Sequence, residues 1–256
     1  ERLPWTLQFE FRGEFARALG DLKELVGTEP GFGLGAAGRL WLTDATALYV
    51  GGSFDKVGGV AAASIAAFDG AAWAPLGSGI EGEFVAKVNA LHLVGDKLYA
   101  GGSMTRAGGV SARNVAVWNT AAQAWSALGG GLKGDFEAGE VYAIQSSGAD
   151  VYIGGNFDFA GSKAAVNIAR WDGSGWNVLV QDGVNGVVDF TPVQALAVAP
   201  GGVYLAGGFD HAGGIAVNRV ARWDGSRFRT LGEGVQNSAG FGGTIYDVAT
   251  SVDGKV

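Results

Sequence analysis

The chain has 256 residues, 48% of them hydrophobic, which is enough apolar material for a large folded domain and argues against disorder along the whole chain. Its net charge of −7, with no cluster of Lys and Arg, argues against nucleic acid and anionic membrane surfaces as partners. Cysteine is absent, which excludes disulfides, thiolate catalysis and Cys-ligated zinc, and no apolar run is long enough to insert into a membrane.

The first 38 residues read in two ways. Phe15-Ala16-Arg17 falls in register with a strand of a later repeat, Val220-Ala221-Arg222, which favours a degenerate repeat. Residues 14–26 also fit one apolar helical face, which favours an N-terminal extension. The chain begins at Glu1 without Met or a signal-like segment, so we expect a processed product or a fragment.

From residue 39 onward, one pattern of about 50 residues occurs four times, marked by Tyr49, Tyr99, Tyr152 and Tyr204. Each copy holds an apolar stretch such as VNALHLV, then a tyrosine-containing strand such as LYVGG or VYLAGG, then a stretch such as NIARWDG, then a last strand that begins with an aromatic residue, as in WNVL. The Asp-Gly pair predicts a tight turn between the third and fourth strands. The 46 glycines without a Gly-X-Y period agree with many short strands. Four antiparallel strands per copy, repeated radially, predict an all-β fold, a β-propeller.

Two stretches carry a resemblance to a known family: LYVGGSFDKVGG (48–59) and NIARWDGSGWNVL (167–179). They resemble the kelch repeat of galactose-oxidase-like propellers, in particular the bacterial and fungal extracellular form with GGxFxxAGG and IAxWDGxxWxxLGxG. The resemblance implies four-stranded blades, an extracellular or cell-surface location, and roles that range from binding platforms to enzymes. A copper radical site of the galactose-oxidase kind needs a Cys–Tyr crosslink, and this chain has no Cys.

We expect a single propeller domain over residues 1–256. Residues 39–243 hold the four clear repeats, residues 1–38 the degenerate blade or extension, and residues 244–256 the first strand of the closing or next blade. On this interpretation the N- and C-terminal strands together complete a five-bladed ring, which removes free sheet edges. The alternative is a fragment of a propeller with more blades.

Within each blade the 1–2 and 3–4 turns are tight, whereas the 2–3 and 4–1 connections are long. We call the side of the disc that carries the long connections the long-loop face, and we expect binding there. An aspartate follows GGxF in three copies, at Asp55, Asp158 and Asp210, whereas the second copy has Thr105. Such a ring of carboxylates could hold Ca²⁺, the one candidate ion, or each side chain could cap loop backbone.

Each 4–1 connection contains one phenylalanine. An exposed aromatic circle could stack on sugars or hold a partner, whereas the alternative is a wedge buried between blades. The positions after the aspartates differ between copies, which could encode ligand specificity or neutral drift. These candidates are Phe84, Phe136, Phe190 and Phe241, and Lys56, Arg106, Phe159 and His211.

Catalytic signals are sparse, since the chain has only two histidines, His92 and His211. We therefore expect a non-enzymatic binding or structural module, without a cofactor, that presents its long loops to a protein or glycan. The alternative is a carbohydrate-active enzyme, a lyase or hydrolase, with its site on the long-loop face or in the central channel. Carboxylates such as Asp44 or Asp247 would then act as acid and base.

Overall fold

The computed structural model describes residues 47–135, 139–188, 191–236 and 243–251. Within these ranges all regular elements are β-strands, so the predicted all-β class is confirmed. The same ranges contain no helix of the length and apolarity needed to cross a bilayer. Both interpretations of residues 1–38 lie outside the described residues.

Four sheets follow one another along the chain, and we number them blades 1 to 4, with strands numbered β1 to β27 in chain order. In blade 2 the sheet order is β12-β11-β8-β7, all antiparallel, and blades 3 and 4 repeat it. The predicted strands VNALHLV, KLYAGG, NVAVWN and AWSAL are those of blade 2. Blade 1 comprises β1 (Leu48–Gly51), β4 (Ile65–Phe68) and β5 (Trp73–Pro75). Blade 2 comprises β7 (Lys87–Val94), β8 (Lys97–Ser103), β11 (Val115–Asn119) and β12 (Ala124–Ala127), and blade 3 comprises β14 (Glu140–Ser147), β15 (Asp150–Asn156), β18 (Ile168–Trp171) and β19 (Trp176–Val178). Blade 4 comprises β22 (Val193–Ala199), β23 (Gly202–Gly207), β26 (Val220–Trp223) and β27 (Phe228–Thr230).

The long 2–3 connections are not irregular loops, because each folds into a two-stranded hairpin around a glycine-containing turn. Each hairpin lies against the outermost strand of its own blade and so covers an edge that would otherwise be open for pairing. The sequence analysis did not predict these strands, since each is only two residues long. They are β2 (Lys56–Val57) with β3 (Val60–Ala61), β9 (Arg106–Ala107) with β10 (Val110–Ser111), β16 (Phe159–Ala160) with β17 (Lys163–Ala164), and β24 (His211–Ala212) with β25 (Ile215–Ala216).

The 4–1 connections link neighbouring blades by backbone pairing. The strand β6 (Ile80–Glu81), which follows blade 1, pairs with β9 of blade 2, and β13 (Leu132–Lys133), which follows blade 2, pairs with β16 of blade 3. After blade 3 the connection instead pairs with itself, as β20 (Val180–Gln181) and β21 (Val184–Asn185). The hairpin of one blade is therefore held in part by the chain leaving the blade before it.

Close contact between neighbouring blades explains the LYxGG motif. A Cβ atom on Gly101 would lie 2.4 Å from Cγ1 of Val141, which belongs to the innermost strand of the next blade. At the next seam, which is the contact between blades 3 and 4, a Cβ atom on Gly154 would lie 2.6 Å from Cγ1 of Val193. Glycine at this position thus lets two sheets approach more closely than any side chain would permit.

The aromatic pairs of the 3–4 hairpins form the outer part of the same seams. The rings of Trp118 and Trp125 lie 5.4 Å apart, and those of Trp171 and Trp176 lie 5.2 Å apart. Trp176 reaches the preceding blade through a 2.9 Å hydrogen bond from its Nε1 to the carbonyl oxygen of Gly129. The aromatic residues of the repeat therefore pack within each hairpin and between blades.

Residues 243–251 lie against blade 4 as an inner strand would. The amide of Ile245 donates to the carbonyl oxygen of Gly207 at 3.0 Å. The equivalent bond between blades 1 and 2 runs from the amide of Val88 to the carbonyl oxygen of Gly52, at 2.9 Å. The Thr250 hydroxyl donates to a carbonyl oxygen of β22 at 3.0 Å. No regular strand is assigned in residues 243–251, so the first strand predicted for residues 244–256 stays a prediction. The five-bladed ring extends over residues outside the described ranges and stays a prediction.

Candidate binding face

A buried asparagine fixes the long-loop face in place. In blade 2, Asn114 accepts a hydrogen bond from the amide of Met104 in the 2–3 connection at 3.2 Å. Its Nδ2 donates to the carbonyl oxygen of Leu132 in the next 4–1 connection at 2.8 Å. One side chain therefore ties together both kinds of long connection. Its φ of 62° is a conformation that asparagine tolerates better than most residues.

Blade 3 repeats this arrangement with Asn167, which accepts from the amide of Phe157 at 3.2 Å and donates to the carbonyl oxygen of Val187 at 3.1 Å. Blade 1 uses Ser64, whose hydroxyl donates to the carbonyl oxygen of Ala86 at 3.1 Å. The sequence analysis missed this position. A polar residue at one fixed place before the third strand of every copy was the available signal.

The three aspartates that follow GGxF make different contacts. Asp158 accepts a 2.8 Å hydrogen bond from the amide of Asp135, which lies in the connection from blade 2. Asp210 forms an ion pair with Nη1 of Arg219 in its own blade. Asp55 is exposed. Asp158 thus caps the backbone of a neighbouring connection, a variant of the capping role considered for this ring.

The divergent positions after these aspartates face equally divergent partners across a seam. Arg106 lies opposite Glu81 in the pairing of β9 with β6, and its Nε lies 3.7 Å from Oε2 of Glu81. One seam further on, Phe159 lies opposite Lys133, whose Nζ is 5.3 Å from the ring centroid. The residues on the two sides of a seam therefore differ together from one seam to the next. One seam has a salt bridge, and the next has a cation–π contact.

The remaining divergent positions and phenylalanines are placed as follows. Lys56 and His211 are exposed on the first strands of their hairpins. Phe84 is 92% exposed, and the adjacent Val85 is 68% exposed. Phe84 is therefore not a wedge between blades. Phe136, Phe190 and Phe241 lie outside the described residues.

A polar cluster that the sequence analysis did not predict lies where the inner strands of blades 2 and 3 begin. Asn89 donates from Nδ2 to Oε1 of Glu140 and to the carbonyl oxygen of Val141, both at 2.8 Å. The Tyr142 hydroxyl donates to Oε2 of Glu140 at 2.9 Å, and Nζ of Lys87 lies 3.8 Å from Oε1. Asn89 and Tyr142 occupy β-bulges, which turn their side chains out of the regular alternation.

The chemistry of this cluster is that of a saturated hydrogen-bond network. Both carboxylate oxygens of Glu140 accept hydrogen bonds from the protein itself, one from Asn89 and one from Tyr142. Burial, the charge of Glu140 and the hydrogen bond to it raise the pKa of Tyr142 above its ordinary value, which keeps the phenol protonated at neutral pH. The cluster joins two blades and does not resemble an acid–base pair.

Metal ligands do not converge in the described part of the chain, where no group of three or more His, Asp or Glu side chains could hold an ion. The carboxylates considered for Ca²⁺ are separated by blade and two of them have protein partners, at Asp158 and Asp210. His92, on an inner strand, contacts the hydroxyl of Ser146 through Nε2 at 2.8 Å. Asp247 accepts from the amide of Val248 at 2.8 Å.

Comparison with known proteins agrees with this architecture. The family model described as the Rax2 C-terminal beta propeller domain matches residues 41–201, which is more than half of the chain and includes most of the first three blades and the inner strand of the fourth. A search of the curated proteins finds no match. The predicted propeller is therefore confirmed, and the chain belongs to the Rax2 C-terminal β-propeller domain family.

Proposed function

We propose that this propeller is a non-enzymatic binding module that presents its long-loop face to a protein partner. The observation that carries the proposal is the 92% exposure of Phe84 beside the exposed Val85. Exposing a large apolar side chain forgoes about 2 kcal/mol of burial, and a bound partner recovers that contribution. Aromatic side chains of this kind are enriched among the residues that dominate binding energy.

The loop that carries Phe84 is anchored on both sides. Before it, the amide of Ile80 donates to the carbonyl oxygen of Ala63 at 2.9 Å, and Glu81 pairs with the hairpin of blade 2. After it, the carbonyl oxygen of Ala86 accepts from the Ser64 hydroxyl at 3.1 Å. A short apolar tip between two fixed points loses little conformational entropy when a partner binds, which favours affinity.

We further propose that the repeat is of the kelch type and that the protein works outside the cell or at its surface. The support is the resemblance of GGxFxxAGG and IAxWDGxxWxxL to the extracellular bacterial and fungal form. A partner at the cell surface would be a protein or a glycosylated protein. The pairing of Arg106 with Glu81 and of Lys133 with Phe159 supports a role for those residues in rigidity, leaving recognition to the apolar tip.

The test compares three forms of the full chain immobilised at equal density. The wild type, a Phe84→Ser/Val85→Ser variant and an Ala122→Ser control on a short 3–4 turn are exposed to surface extracts of the source organism. We expect a protein retained by the wild type and the control, and a loss of affinity of at least about 10-fold in the double variant once that protein is purified. Equal retention by all three forms, or turnover of a polysaccharide by the wild type, would overturn the proposal.

A further inference from the structure

A cavity of about 220 Å³ opens on blade 3 between its hairpin and its 3–4 turn. The indoles of Trp171 and Trp176 form one wall. Ser162 and Lys163 from the hairpin and Ser174 and Gly175 from the turn form the others. We call this cavity the blade-3 pocket.

The blade-3 pocket exists because blade 3 departs from its repeats in the hairpin. Lys163 occupies the position that is Val60 in blade 1, Val110 in blade 2 and Ile215 in blade 4. Val60 and Ile215 pack against the aromatic clusters of their own blades. Lys163 instead turns its Nζ to the carbonyl oxygen of Trp176, at 2.5 Å, and leaves space beside the indoles.

The turn of blade 3 contributes a second departure. Gly175 stands where blade 1 has Ala72 and blade 4 has Arg227, directly before the aromatic residue of the fourth strand. A Cβ atom added at Gly175 would meet no atom within 4 Å, and its φ is not in the left-handed region. The backbone therefore does not require glycine here, and the missing side chain leaves the pocket open.

The walls of the blade-3 pocket are rigid. The two indoles meet edge to face at 70°, and Nε1 of Trp176 is held by the carbonyl oxygen of Gly129. The turn is held by Asp172, whose Oδ1 accepts from the Ser174 amide at 2.9 Å and from its hydroxyl at 2.8 Å. The pocket is thus preformed, and a ligand would not have to order it.

The chemistry of the walls matches a sugar ring. The electron-rich face of an indole attracts the slightly positive C–H groups on the apolar face of a pyranose. A lysine ammonium has three donors, of which one is used in the bond to Trp176, and the Ser174 oxygen can still accept from a hydroxyl. The volume is below the range usual for larger ligands and suits a single ring.

We propose that the blade-3 pocket binds one hexopyranose ring at the exposed end of a glycan. This site is built from other residues than the Phe84 tip, so it goes beyond the protein-binding function and does not depend on it. Recognition combines stacking on Trp171 with hydrogen bonds to Lys163 and Ser174.

The test follows the indole Nε1–H signals of the full chain by NMR while free sugars are added. The probes are D-glucose, D-mannose, D-galactose and N-acetyl-D-glucosamine, each to about 100 mM because single sugars bind in the millimolar range. We expect saturable shifts of the Trp171 and Trp176 signals with at least one probe.

Two variants make the result specific. Gly175→Arg copies the residue of blade 4 and should fill the pocket and abolish the shifts, whereas Ala72→Arg adds the same side chain to blade 1 and should leave them unchanged. Lys163→Val, which copies blades 1 and 2, should also abolish them. The proposal fails if no sugar probe gives a saturable shift, or if the shifts survive in both pocket variants. The Phe84→Ser/Val85→Ser variant should keep the shifts, which separates this site from the protein-binding tip.

Discussion

The indole Nε1 of Trp125 donates a hydrogen bond to the carbonyl oxygen of Leu76 at 2.8 Å, across 49 positions of sequence. The distance in sequence is about one repeat, so the bond joins blade 2 to blade 1, and the bond from Trp176 to Gly129 joins blade 3 to blade 2. In blade 4 the tryptophan is replaced by Phe228, and there Gln181 supplies the link by accepting from the Phe228 amide at 2.6 Å. The outer seam is thus maintained even where the indole is absent.

Replacing Trp125 with Phe should destabilise the domain by about 1–3 kcal/mol, because the carbonyl oxygen of Leu76 keeps only the Gly79 amide as a donor and a small void is left. Chemical denaturation of the variant and the wild type measures the difference. Trp176→Phe removes the same bond one seam later and should cost a similar amount. If both variants unfold with free energies within about 0.5 kcal/mol of the wild type, the indole hydrogen bonds between blades do not contribute to stability as expected.

Gly101→Ala should cost about 1–3 kcal/mol, because the added methyl group would lie 2.4 Å from Val141 and force the blades apart. Gly175→Ala is the matched control, since open space surrounds that position, and should change stability by no more than about 0.5 kcal/mol. Adding Val141→Ala to Gly101→Ala should recover part of the loss. The clash is disproved if the two glycine variants unfold at the same denaturant concentration.

Asn114→Ala should destabilise the domain by about 2–3 kcal/mol. The change leaves the amide of Met104 and the carbonyl oxygen of Leu132 without this partner, and it places alanine at a φ of 62°. Asn114→Gly separates the two effects, because glycine accepts this φ but makes no side-chain bond. Equilibrium unfolding of both variants measures how much of the lost stability comes from the hydrogen bonds and how much from the backbone conformation. An alanine variant as stable as the wild type would show that the Asn114 side chain does not hold the two long connections together.

Asp172 should make stability depend on pH in the acid range. The bond from the Ser174 hydroxyl, then those from the Ser174 and Gly175 amides and the Asn177 side chain, lower its pKa below the ordinary value. A group with a lowered folded-state pKa stabilises the fold above its unfolded pKa, about 3.9, and that contribution is lost as pH falls through the folded value.

Melting curves from pH 7 to pH 2 measure this effect in the wild type and in Asp172→Asn. We expect the wild type to lose more stability than the variant below about pH 4, since an amide does not titrate in this range. Asn119 occupies the same turn position in blade 2 and accepts from the Ala122 amide at 2.7 Å, so asparagine can cap such a turn. Parallel pH profiles would show that the Asp172 carboxylate is not the group responsible.

Removing residues 244–256 should lower the melting temperature by about 4 °C or more, because it removes the predicted closing strand, which the amide of Ile245 anchors to Gly207. A shorter deletion of residues 252–256 serves as the control. A cooperative melt of the full chain that is lost on the longer deletion would support the predicted closing role of this strand. Identical melts of both truncations would contradict it.

The fold could be predicted because its signal is repeated. Alternation and turn chemistry around Asp172-Gly173 and Asp224-Gly225 place the third and fourth strands, and the period of about 50 residues identifies the blade. The two-residue strands of the hairpins could not be predicted, since an element such as Lys56–Val57 is too short to show a period. It is a strand only because another segment lies beside it.

The candidate sites show the same division. The sequence shows that residues on the long connections differ between copies, but it does not show which of them contact each other. Glu81 and Arg106 lie in different repeats and meet only when the blades pack. The hydrogen bonds from Asn114 to Leu132 and from Asn89 to Glu140 likewise join residues that are 18 and 51 positions apart in sequence.

The sequence by itself therefore determined the all-β class, the repeat and the tight turns, because alternation, glycine placement and turn caps are local properties of the chain. The tertiary structure decided which glycines are pressed by a neighbouring valine, which charges are matched across a seam and which aromatic wall stays open in blade 3. Those outcomes depend on the distance between blades, and that distance is set by many packing contacts at once rather than by any local stretch of residues.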